Sequence, residues 1–166
     1  MKWPKRIRLR WVVAAYFTAG QIYVWWQYLT IAPGHERSIP EIVVPAVLEI
    51  VAALLIAGYV ILRFRSLVWV VLATVNAIVL LVVDFATWYA SVGTSANWIP
   101  RLTRFDGLAI AMGTLTTAGA PGIVPRSELA RHLVTVQLVV DILAALVLFG
   151  LFAGRFANRP HPAAQS

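Results

Sequence analysis

The sequence predicts an all-α membrane protein of four transmembrane helices, with a re-entrant segment between the third and fourth. Three observations carry this expectation. Of the 166 residues 60% are hydrophobic and 13% charged, with a mean hydropathy of +0.78, against about 45–50% and about 25% in an ordinary soluble domain. Four runs are each long enough to supply the roughly 20 apolar residues that cross a hydrocarbon core. A fifth uncharged run, Gly107–Pro125, has the wrong composition for a helix facing lipid. This balance excludes a disordered chain, a nucleic-acid-binding domain and a water-soluble enzyme.

The elements follow in order. Residues 1–10 form a basic cytoplasmic head with Lys2, Lys5, Arg6, Arg8 and Arg10, and Trp11–Gly34 then carries no charge. That run is too long for a secretory leader. Tyr23, Trp25, Trp26 and Tyr28 fit an interfacial aromatic belt, so a retained first span is expected. The loop Pro33–Glu41 holds His35, Glu36 and Arg37 between two prolines. Ile42–Leu62 is the second span, interrupted by Glu49, and Arg63 and Arg65 make a basic turn. Residues 11–65 thus supply two peripheral helices. The third span, 67–89, contains Asp84, and the fourth, 132–154, contains Asp141. Both belong to a unit covering 66–156, followed by a tail, 157–166.

Gly107–Pro125 holds nine Gly, Pro or Thr among its 19 residues. Backbone exposed to lipid must be continuously hydrogen-bonded, and non-helical chain at depth persists only inside protein or around water. The segment is therefore expected to enter as a short helix over 105–116 and to return as extended chain over 117–125. With four spans, nine basic residues fall on the inner side and five on the outer, and a five-span arrangement gives the same count. Either arrangement puts the amino terminus inside, and the re-entrant version puts the carboxyl terminus there too. The net charge of +7 then orients the chain in a bilayer and signals no nucleic-acid partner.

Phe105-Asp-Gly-Leu-Ala-Ile-Ala-Met-Gly-Thr-Leu-Thr-Thr-Ala-Gly-Ala-Pro-Gly-Ile-Val-Pro125, followed by Ser127-Glu-Leu-Ala-Arg131, resembles the pore helix and filter of the potassium-channel pore superfamily. The family pattern there is close to F-D-A-L-Y-F-x-x-x-T-L-T-T-V-G-Y-G-D-I-V-P, as in two-pore-domain-like and bacterial ion-channel pore modules. The resemblance covers Leu67–Phe156. It implies a homotetramer, because one copy of the motif cannot surround an ion path, and it places the ion-coordinating stretch on Thr117, Ala118, Gly119, Ala120 and Pro121. Oxygens of such a filter replace an ion's hydration shell. Thr116 and Gly122 fall at positions that support the filter. The family's tyrosine, second glycine and acid are here Ala120, Pro121 and Gly122.

The resemblance implies a passive cation channel in a bacterial plasma membrane, with K+ or another monovalent cation as its bound ligand, lipid and further copies of the chain as its partners, and no enzymatic activity. The alternative suggested by Ala120-Pro121-Gly122 is a channel-derived, non-conducting structural or regulatory subunit. No organic cofactor is expected. The chain has no cysteine, and His35, His132 and His161 lack metal-ligand spacing.

Ionisable residues inside a bilayer face protein or water. Glu49, Asp84 and Asp141 are expected roughly 8–12 Å below the outer ends of their spans at 1.5 Å per residue, level with the re-entrant segment. Two readings stand for Asp141, a cavity-lining carboxylate below the filter and a carboxyl packed inside the protein. Asp84 and Glu49 are expected to brace the pore helix, with Gln21, Gln27 or Tyr23 as partners.

Overall fold

The computed structural model describes residues 5–34, 39–64 and 66–157. They form five helices, α1 (Lys5–Thr30), α2 (Ile39–Arg63), α3 (Leu67–Ser91), α4 (Arg104–Leu115) and α5 (Glu128–Ala157), with two-residue strands β1 (Trp98–Ile99) and β2 (Val124–Pro125). Residues 67–91 and 128–154 are long and apolar enough to cross a membrane. Lys2, His35, Glu36, Arg37, Arg65, Arg159 and His161 lie outside the described residues.

The helix over 104–115 sits one residue before its expected place. The final helix starts at Glu128, four residues early, and runs on to Ala157. Asp141 is therefore 13 residues from its start, close to mid-helix. The pair β1–β2 has no counterpart in the sequence reading, because two residues are too few to show alternation. It aligns Trp98 with Pro125 and Ile99 with Val124 in antiparallel register.

Helix α3 is the hub. It packs against α1, α2, α4 and α5, and every residue from Leu80 to Ser91 is buried. One apolar cluster surrounds that half, drawing Val24 and Tyr28 from α1, Ile50 and Ala53 from α2, Ile110 and Ala111 from α4, and Ala130 from α5. A second cluster surrounds the other half, where Phe17, Ala57, Ile61, Val70 and Leu148 meet. The expected aromatic belt is split by this packing. Tyr28 is buried, whereas Tyr23 and Trp26 are exposed.

Helix α5 buries a single stripe, Ala130, Gln137, Asp141, Ala144 and Leu148. Its other faces expose Leu138, Val139, Ile142, Leu143, Leu146 and Phe149. Gly150 and Gly154 belong to this open surface, with no atom within 4 Å of an added Cβ at either.

Helix α4 begins with a capping box. The Thr103 hydroxyl accepts from Asp106 N–H at 3.2 Å, and the Asp106 carboxylate accepts from Thr103 N–H at 2.7 Å. Each bond satisfies a donor that the first turn would otherwise leave open. Gly107 lets α4 lie directly on α3, since a Cβ there would stand 2.7 Å from the Ala86 carbonyl oxygen. Gly107, Gly113 and Thr114, counted above as unfavourable to helix, are inside α4. Contact with a neighbouring backbone outweighs the roughly 1 kcal/mol helix penalty of each glycine.

Gly107→Ala should therefore lower stability by about 1–3 kcal/mol, the usual effect of overpacking a tight contact. Thermal unfolding in detergent checks this, with a reduced Tm expected.

Candidate functional site

The site grows from the short helix α4 and the loop that follows it. At one end α4 is tied to α1. The Tyr28 hydroxyl donates to the Arg104 carbonyl at 2.9 Å, and Arg104 Nε donates to the Ile31 carbonyl at 2.8 Å. Arg101 Nη2 reaches the Pro33 carbonyl at 3.3 Å beside them.

Toward its other end α4 is held by one fully buried amide. Gln137 of α5 donates from Nε2 to the Ala111 carbonyl at 2.8 Å and accepts from the Tyr89 hydroxyl of α3 at 2.7 Å. One side chain thus joins α3, α4 and α5. The Ala111 bond is also unusual in kind, since that carbonyl lies within a helix. Tyr89 packs edge-on against Trp98, with ring centroids 5.6 Å apart, which joins the network to β1.

Past α4 the chain folds back on itself. Thr116 Oγ1 donates to the Met112 carbonyl at 2.8 Å, Thr117 N–H to the Thr114 carbonyl at 3.0 Å, and Gly119 N–H to the Gly113 carbonyl at 3.0 Å. The packing is so close that a Cβ on Gly113 would collide with the Gly119 carbonyl. Thr117 has φ 58° and Gly119 φ 70°. For threonine, a β-branched residue, such a value is a strained state that its surroundings must hold.

The return differs from the expected extended chain. Ile123 N–H donates to the Ala120 carbonyl at 3.2 Å, closing a turn with Pro121 second and Gly122 third, the latter at φ 80°. Proline followed by a positive-φ glycine is the pattern of a type II turn. The chain then enters β2, and Arg126 N–H bonds the Asn97 carbonyl at 2.8 Å.

Thr116, Thr117, Ala118 and Gly119 are brought together in one loop, all exposed, beside the end of α4. Ala120 is half-buried against the core, while Pro121 and Gly122 are exposed on the turn. The site therefore consists of an uncovered loop on a rigid, hydrogen-bonded seat.

The three acids occupy two places. Asp84 is 5% exposed and meets Glu49 of α2, so two carboxyl groups from neighbouring helices adjoin. Among the described residues the side-chain hydrogen bond from α5 to α4 is made by Gln137. Of the partners expected for the two acids, Gln21 is engaged elsewhere. Gln21 donates to Asn76 Oδ1 at 3.0 Å, and Tyr23 is exposed.

Asp141 is 8% exposed in the single chain, one turn beyond Gln137, and neither carboxyl oxygen has a hydrogen-bond partner. Among the described residues no group of three His, Asp or Glu is arranged to hold a metal ion.

Gln137 and Thr103 are absent from the sequence reading, and Tyr89 entered it only as the end of the third span. The Thr103 cap was signalled by Thr-x-x-Asp ahead of an apolar run, and the turn by Pro121-Gly122. Nothing marked Gln137 beyond its being a lone amide in an apolar helix. Comparison with known protein families, with curated proteins and with solved structures finds no match to this chain.

Gln137→Leu keeps the volume but removes the Gln137 partner of the Tyr89 hydroxyl and the second bond to the Ala111 carbonyl, a loss of roughly 1–3 kcal/mol in a buried setting. It should destabilise the protein clearly more than Tyr89→Phe, which leaves the Ala111 bond intact. Thermal unfolding of the two variants side by side checks the order.

Proposed function

We propose that this chain is one subunit of a homotetrameric, potassium-channel-like cation pore with four membrane-spanning helices, α1, α2, α3 and α5. The observation that carries the reading is the form of α4 and its loop. Twelve residues make a helix of about 18 Å, too short for a hydrocarbon core of about 30 Å. Such a helix enters and stops. It stops at Thr116–Gly119, the stretch that resembles a filter and that is left uncovered in the single chain.

The mechanism is passive conduction. The carboxyl end of α4 carries the negative end of its dipole, which favours a cation beside the loop. In a fourfold assembly, Thr117 and the backbone carbonyls of Ala118 and Gly119 from each copy supply oxygen ligands in place of water. The turn at Ala120–Ile123 ends this stretch early, since Pro121 has a fixed φ and no N–H. We therefore assign coordination to Thr117–Gly119, with Ala120 and Pro121 outside it. A site this short passes monovalent cations without strong preference for K+ over Na+. The open apolar faces of α5 meet lipid and neighbouring copies, and α1 and α2 form a scaffold behind α3.

Purified protein in liposomes should pass K+ and Na+ down an imposed gradient. Gly113→Ala should reduce that flux at least about tenfold, because the added Cβ displaces the backbone of Gly119, and misplacing a coordinating group by about 1 Å has effects of that size. A membrane sealed to both ions with the native chain would overturn the reading and leave the non-conducting alternative. Particle images in detergent should show fourfold symmetry, and a dimer without a central axis would end the pore assignment.

A further inference from the structure

A groove of about 510 Å³ runs between α1 and α3, remote from α4 and its loop. It is open along one side and almost wholly apolar. Phe17 and Ile22 line it from α1, and Trp69 and Leu72 from α3. Its α1 wall extends from Ala14 to Ile22 and its α3 wall from Trp69 to Val79. At 1.5 Å per residue these walls are roughly 12 and 15 Å long. That is about half of a 30 Å hydrocarbon core, the depth of one leaflet.

The two ends of the groove differ. The far end reaches the hydrogen bond from Gln21 to Asn76, 3.0 Å, which joins the two helices near the middle of α3. The near end is marked by Trp69, which stacks on Phe64 with ring centroids 5.7 Å apart. The guanidinium of Arg10 lies 5.9 Å from the centre of that same Phe64 ring. Arg10 precedes Ala14 by four residues on α1, so the two share a helix face. Among the described residues no carboxylate pairs with Arg10, and its side chain is exposed. A cation thus stands at the mouth of an apolar slot one leaflet deep.

We propose that this groove holds an anionic phospholipid of the cytoplasmic leaflet, with its phosphate on Arg10 and one acyl chain lying between α1 and α3. The assignment rests on α1 and α3 spanning the bilayer with the amino terminus inside, which is part of the function proposed above. It does not rest on conduction. Charge and shape select the occupant together. The guanidinium favours a phosphate, and the slot runs parallel to the helices as lipid tails do. Exposed Ile22, Leu72 and Val75 continue the apolar surface outward from the groove.

The test uses the full-length chain in lipid nanodiscs and detergent, with phosphatidylglycerol and phosphatidylcholine of the same chain length as probes. Native mass spectrometry and thermal unfolding should both show preferential retention of phosphatidylglycerol. Arg10→Gln should remove that preference, about fivefold for a single basic side chain at a membrane surface, and Arg10→Lys should keep most of it. Ala14→Trp fills the groove and should abolish retention of both lipids without altering the helical circular dichroism.

Equal retention of the two lipids by the native chain would overturn the proposal, as would a preference that survives Arg10→Gln. Stabilisation by glycerol phosphate alone, equal to that by the whole lipid, would overturn the acyl-chain half of it. Failure of the chain to enter nanodiscs would instead refute the membrane-spanning reading. A sealed flux assay with lipid preference intact would refute conduction alone.

Discussion

The arrangement of this protein depends on one buried amide. Gln137 is fully enclosed, and it satisfies the hydroxyl of Tyr89 on α3 and the carbonyl of Ala111 on α4. A polar group in an apolar interior is tolerated when all its partners are present, and it then penalises any displacement strongly. Apolar contacts alone would let α4 slide or rotate between α3 and α5. The amide permits one depth and one rotation. Everything after Ala111 inherits that position, including the Thr116 bonds to the last turn and the return of Gly119 to Gly113.

Glycines complete what the amide begins. Gly107 brings α4 onto the backbone of α3, and Gly113 brings the loop onto α4. Each removes a side chain at a point where two backbones meet. The strained φ of Thr117 is held between these contacts, at the center of the loop assigned to ion coordination. Asp141 is buried beside Gln137, and Asp84 meets Glu49. The groove lies between α1 and α3, with Arg10 over the Phe64 ring near one end.

Legibility differed from element to element for physical reasons. Long apolar helices are governed by composition, so α3 and α5 were readable, with ends displaced by a few residues. The short helix α4 was also readable, because a lipid-facing helix excludes a segment so rich in Gly, Pro and Thr. The same composition misled at Gly107 and Gly113, which favour loops in general and here sit within a helix for the sake of close contact. Pro121-Gly122 carried a turn signal that the expected extended return overrode. The pair β1–β2, two residues long, left no pattern to read.

The sequence by itself determined a helical, strongly apolar chain, the position of its short helix, and the uncharged Thr- and Gly-rich loop behind it. These follow from local chemistry, since hydropathy, backbone freedom and capping act over a few residues. Only the tertiary structure decided which polar groups meet. It paired Gln137 with Tyr89 and Ala111, joined Asp84 to Glu49, enclosed Asp141 and set Arg10 beside Phe64. Such pairings join residues far apart in the chain, and they depend on the rotation of each helix about its axis. Apolar residues surround most of these helices, so no hydrophobic stripe in the sequence sets that rotation. The packing around α3 does.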